Sequence, residues 1–196
     1  RIDVEYEVLP AVFDPEEARS AGAPLLHPDR TLEDGVADAS RNVIAAMHEG
    51  FGGDVEEALA DADVTVGGTW RTARVTHAQL ETHGTIGWLD DDGRLILRTS
   101  SQVPFLVRKE LCLLLDLPED RLRVYTARVG GGFGGKQEMF TEDLVAVAVL
   151  RTGRPVAYEM SRADELTATA YRHPMRVDVT LGARSDGTLT AMKLAV

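Results

Sequence analysis

Apolar and acidic residues alternate from Ile2 to Val8 in IDVEYEV, the pattern of a strand with one wet face, and Pro10 closes it. From Phe13 to Gly53 that order dissolves: prolines stand at 15, 24 and 28, glycines at 22, 35, 50, 52 and 53, with many acids between. The stretch predicts an extended linker with helical turns at DPEEARSA and SRNVIAAMHEG. So long a loop is uncommon in a compact domain unless it packs on something else, which points to a neighbour outside it. VEEALADA then predicts a short acidic helix, and DVTVGGTWRTARVTH a long strand bent by its glycine pair. THGTIGWLD and RLILRTS flank Asp91-Asp92-Gly93 as a hairpin with an Asp-Gly turn. Ser101 opens the helical run SQVPFLVRKELCLLLDL, where Pro104 fits the first turn. RLRVYTARV is a strand wetted on one face or end by Arg121, Arg123 and Arg128. TEDLVAVAVLRTG is a helix with its acids at the N-terminal end, where Glu142 and Asp143 meet the helix dipole, and Gly153 stops it. PVAYEM, SRADELTAT and the hairpin MRVDVTLGARSDGTLTAMKLAV complete an α+β chain of antiparallel hairpins and interspersed helices.

Charge narrows the function classes. The chain has 196 residues, 21 basic against 32 acidic, a net charge of −11. Such a surface repels phosphate backbones, and no basic stripe interrupts it, so no nucleic-acid partner is expected. No apolar run reaches the ~20 residues of a membrane span, and a cytoplasmic location is expected. Cys112 is the only cysteine, which excludes an internal disulfide; within LCLLL it reads as a small core hydrophobe. His77 and His83, six apart on a presumed strand, read as ordinary structure, as does His173 before Pro174.

Between the arginine-bearing strand and the TEDLVAVAVLRTG helix lies GGGFGGK, residues 130–136. It satisfies G-x-G-x-x-G and also G-x-x-x-x-G-K, short only of a hydroxyl at Gln137. The wet strand before it argues against a dinucleotide fold, and the missing hydroxyl against a P-loop. A nucleotide-binding module nevertheless stays open as an alternative, as does an interaction domain that meets a basic partner. Five glycines in six positions cost roughly 0.5–1 kcal/mol each relative to alanine, so an exposed backbone has a use here. Bare N–H groups near a helix start form an anion cradle, and Phe133 adds a flat apolar surface.

With its flanks, RVYTARVGGGFGGKQE resembles the molybdopterin-binding subunit of the xanthine dehydrogenase and aldehyde oxidase family, the molybdenum hydroxylases. LETH (80–83), SSQVPF, LPEDRLRV and YRHP (171–174) fit in the same order, and VEYEVLPAVFDPEEA resembles the exit from the family's preceding small domain. The resemblance implies an internal piece: residues 1–12 ending a small α/β domain, 13–53 a linker, and 54–196 the first part of the molybdenum domain. It implies an oxidoreductase that hydroxylates an N-heterocycle or an aldehyde with water as oxygen source. Its cofactor would be molybdenum on molybdopterin, in a dinucleotide form. The 2Fe-2S and FAD centres would sit on partner subunits or domains. The metal would be held by the pterin, which agrees with the lack of a Cys/His cluster at ligand spacing.

Residue by residue, the resemblance assigns Gly131, Gly132, Phe133, Gly134 and Gly135 to the cofactor, with the Phe133 backbone beside the metal. Gln137 falls where xanthine-oxidising members carry a glutamate that holds the purine; its amide keeps hydrogen bonding but lacks the charge. Val75 falls where many members place a glutamine, and Gln79 lies nearby on a different count. The family's catalytic base lies near the far end of longer subunits, so no catalytic residue is assigned within this chain, and no turnover is expected of it alone.

Overall fold

The structure is a computed structural model that describes residues 3–196, divided into two units, one ending at Ala58 and the other spanning Leu59–Val196. In the first unit, residues 3–8 form no strand and lie exposed; the predicted strand's first residue, Ile2, is outside the described residues. Alternation supplies one face for a strand, but a strand also needs a neighbour to complete its ladder.

Helix α1 (Pro15–Ala18) sits where DPEEARSA predicts a turn, its start capped by the Asp14 carboxylate. The second predicted turn is shorter than expected. A single 3₁₀ turn covers Ala39–Arg41, and Asn42 then turns left-handed at φ 54°. The Asn42 side chain explains the break: its amide donates to the carbonyls of Ala18 and Pro24, and its oxygen accepts from Leu26 N–H. Backbone demand, rather than helical periodicity, decides this segment.

After α2 (Val55–Ala60), strand β1 (Val64–Arg71) pairs antiparallel with β6 (Arg176–Ala183), which pairs with β7 (Leu189–Ala195). The β1–β6 register runs unbroken through Gly67 and Gly68, so the glycine pair introduces no bulge. Gly68 instead makes room for the Trp70 ring, which lies 2.8 Å from where a Cβ would project.

The second sheet has the order β4-β3-β2-β5, from β2 (Gly84–Leu89), β3 (Leu95–Thr99), β4 (Leu122–Tyr125) and β5 (Val156–Glu159). All its pairs are antiparallel except β3–β4. Helix α3 (Pro104–Leu115) lies between β3 and β4 in the chain, a crossover long enough to return the strand parallel. Helix α4 (Glu142–Thr152) packs on β2 and β3 and ends at left-handed Gly153, as expected. Leu95, Leu97, Val107, Leu111, Leu122 and Val145 form the core where these helices meet the sheet, and Cys112 lies within it. The short helix α5 (Arg162–Glu165) follows β5. The α+β class and its hairpins stand. Among the described residues no helix is long and apolar enough to cross a membrane.

Candidate cofactor site

The GGGFGGK loop leaves the end of β4 and is pinned before it reaches α4. Gly131, Phe133 and Gly134 all adopt positive φ, at 100°, 54° and 93°. For phenylalanine that conformation is costly, which makes its retention here a pointer to function. The Phe133 side chain gains no burial in return, being 68% exposed.

One glutamate oxygen holds both ends of the loop. Oε2 of Glu81 accepts from Gly130 N–H at 2.7 Å, from the Lys136 ammonium at 2.9 Å and from the Ser100 hydroxyl. Lys136 also donates to Ser100 Oγ at 2.7 Å and is 0% exposed. Burial pushes the Glu81 carboxyl up, but Lys136, Ser100 and Gly130 outweigh it and hold the group at about 2. The middle of the loop rests on Gln102. Its side-chain oxygen accepts from Gly134 N–H and Lys136 N–H, and its own N–H donates to the Lys136 carbonyl at 2.9 Å. A Cβ on Gly132 would stand 2.4 Å from that Gln102 oxygen, so a larger residue would push the Gln102 side chain off its bonds to Gly134 and Lys136.

Beneath Gly135 lies a second buried group. His83 Nε2 meets the Gly135 carbonyl at 3.0 Å, and Nδ1 meets Glu165 Oε1 at 2.8 Å. Gln79 donates to Glu165 Oε2 at 2.7 Å. The His77 ring packs against Gly135, where a Cβ would come within 2.8 Å. Further in, Thr99 donates to Glu142 Oε1 at 2.5 Å, and the other Glu142 oxygen accepts from the N–H groups of Phe140 and Thr141. Glu142 is therefore a buried cap as well as an acid at a helix start.

With these partners assigned, the N–H groups of Gly131, Gly132 and Phe133 have no acceptor among the described residues. They are three adjacent donors on a glycine loop whose ends and middle are hydrogen-bonded to Glu81 and Gln102. Gln137 follows the loop and is exposed. Val75 is exposed and bridged to Arg172 through backbone bonds, whereas Gln79 points into the buried Glu165 pair. Among the described residues no three His, Cys, Asp or Glu side chains converge to hold a metal.

Comparison with known proteins gives the family. Residues 36–196 match the family model described as "Molybdopterin cofactor-binding domain", beginning inside the stretch read as a linker. The chain is 36% identical over 220 aligned residues to a probable hypoxanthine oxidase of Escherichia coli O157:H7, covering 98% of this chain and 23% of that protein. It belongs to the xanthine dehydrogenase and aldehyde oxidase family. The nicotinate dehydrogenase large molybdopterin subunit of Eubacterium barkeri is 32% identical, with 98% of this chain and 43% of that one covered. Among solved structures, the aldehyde oxidoreductase of Desulfovibrio gigas superposes with a TM-score of 0.80 at 29% identity, over 96% of this chain and 20% of that one. The chain thus spans roughly a quarter to under half the length of these curated relatives.

A molybdopterin domain also explains why both nucleotide patterns fail in three dimensions. Lys136 is turned inward onto Glu81 and cannot reach a phosphate. Residues 136–141 separate the glycines from the start of α4, so the loop is not the first turn of that helix, as a P-loop would be. In the sequence Lys136 has a role only in the failed P-loop pattern, and nothing there singles out Glu81, Ser100, Gln102 or Glu165. Glu81 sits inside LETH and Gln102 inside SSQVPF, two stretches that carry the resemblance. Their recurrence beside GGGFGGK was the available signal.

Proposed function

We propose that this chain presents the 130–135 loop to the molybdopterin centre of an enzyme that hydroxylates an N-heterocycle or an aldehyde. When bound, that cofactor supplies two-electron oxidation of the substrate carbon with water as oxygen source. The three unpartnered N–H groups of Gly131, Gly132 and Phe133 carry the reading. Preorganised backbone donors stabilise charge that grows during turnover without reorganising. Glu81, Lys136 and Gln102 hold those donors in place, and Phe133 offers its exposed ring toward the ligand. Gln137 supplies a neutral amide to the substrate. In this reading residues 1–12 end a preceding domain, 13–53 connect it, the general base comes from elsewhere in a longer protein, and iron–sulfur and FAD partners in the cytoplasm take the electrons.

The test is Phe133→Ala in the assembled molybdenum enzyme. The exposed ring should be removable at a cost within about 0.5 kcal/mol of stability. The Mo(V) electron paramagnetic resonance signal should nevertheless change shape. An unaltered signal with unaltered kcat places the loop away from the cofactor and overturns the proposal. Gln137→Glu tests the substrate role separately: kcat/KM for a purine should rise about tenfold or more relative to an aldehyde.

A further inference from the structure

His83 is the one buried histidine beneath the loop, and its hydrogen bonds define its charge. Nε2 faces the carbonyl oxygen of Gly135 at 3.0 Å. A carbonyl only accepts, so Nε2 carries a proton. Nδ1 faces Glu165 Oε1 at 2.8 Å. That carboxyl already receives His83 N–H on Oε1 and the Gln79 amide on Oε2. Two other donors directed at that carboxyl favour its ionised form, which leaves the shared proton on Nδ1.

We infer that His83 is a buried imidazolium, paired with Glu165, that serves as a positioning residue for the glycine loop through the Gly135 carbonyl. The functional part rests on the reading that the loop faces the cofactor. The groups around the ring fit a cation: Glu165 from α5 on one side, the Gly135 carbonyl on the other, and the Phe140 ring edge-to-face with its centroid at 4.8 Å. Other charged groups near the ring's neighbours are Lys136, one residue beyond Gly135, its partner Glu81, and Glu142, which accepts from Phe140 N–H. Lys136 and His83 thus place two buried cations under one loop, each held by a carboxylate. The imidazolium is turned toward the loop and Glu165 lies behind it, so the pair directs its positive end at the glycine backbone. That orientation suits an anionic ligand above the N–H groups of Gly131, Gly132 and Phe133.

The experiment uses the assembled holoenzyme labelled with ¹⁵N-histidine at neutral pH. One imidazole should show two protonated nitrogens of nearly equal shift, and those resonances should vanish in His83→Gln. In Glu165→Gln the same resonances should move to the widely split pattern of a neutral ring, which checks the assignment without replacing His83. A neutral pattern for His83 in the unmodified enzyme overturns the inference. The second readout is the Mo(V) signal of His83→Gln, which should shift while molybdenum content stays measurable. An imidazolium with no change in that signal in either variant would separate His83 from cofactor positioning. If Phe133→Ala also leaves the signal unchanged, the loop assignment itself fails; if it does not, only the role of His83 does.

Discussion

The two sheets of the Leu59–Val196 unit contain similar residues and use them differently. In the four-stranded sheet Leu97 is 0% exposed, inside the core that the sheet forms with residues of α3 and α4. In the three-stranded sheet Met192 on β7 is 62% exposed, and Val66, Trp70 and Leu194 are exposed as well. Strand propensity is therefore no guide to burial: a helix that crosses over a sheet covers it, and a hairpin has nothing to do so. The glycine loop follows β4 of the covered sheet, and its ends and middle are tied to Glu81 and Gln102. Rigid support is what preorganised donors require.

The largest expected contrast is in packing. Leu97→Ala should lower unfolding free energy by about 2–5 kcal/mol, whereas Met192→Ala should cost below ~1 kcal/mol. Urea unfolding of the two variants side by side measures the gap. Equal losses would mean that the three-stranded sheet is covered in the working protein.

The loop clamp sharpens the comparison through charge. Glu81→Gln leaves Lys136 buried without a counter-charge and should cost about 3 kcal/mol. Lys136→Met should cost less, because Glu81 is 40% exposed and can return to water. The same pair sets a pH dependence. Glu81 has its folded-state value depressed from 4.5 to about 2, so its contribution is fully present above 4.5 and is lost as the pH falls toward 2. Stability measured between pH 5 and pH 2 should fall more steeply in the unmodified protein than in Glu81→Gln; parallel curves would remove Glu81 from the clamp.

Smaller effects come from adding a methyl group to each sheet. At Gly87 a Cβ would stand 2.7 Å from both Leu97 and Val145, and Gly87→Ala should cost about 1–3 kcal/mol. At Gly67 the nearest atoms are the Thr180 hydroxyl at 3.0 Å and the Val179 carbonyl oxygen at 3.1 Å, so a methyl group needs a smaller shift than at Gly87, and Gly67→Ala should cost below ~1 kcal/mol. Thermal midpoints of the two variants would decide it.

Much of the local structure was legible in the chain. The Asp-Gly turns, Pro104 at a helix start, Gly153 at a helix end and the apolar spacing of α3 and α4 each act within a few residues, and each appears where its chemistry requires. The strand expected from Ile2 to Val8 does not form over its described residues 3–8, and the longer turn after Ser40 does not appear. The first lacks a ladder partner, and the second is overridden by Asn42 bonding to residues 16 to 24 positions away. The glycine loop stood out in the chain because five glycines in six positions carry a backbone cost that an ordinary turn does not need.

What the sequence determined by itself was the inventory: a loop of bare donors, its family resemblance, and a neutral Gln137 after it. Only the tertiary structure decided what holds that loop. Glu81 lies 55 residues from Lys136, His83 52 from Gly135, and Glu165 82 from His83. No periodicity links positions so far apart. Buried charges find their partners through the sheet that brings them together, and the low-dielectric interior makes those partners obligatory once they meet.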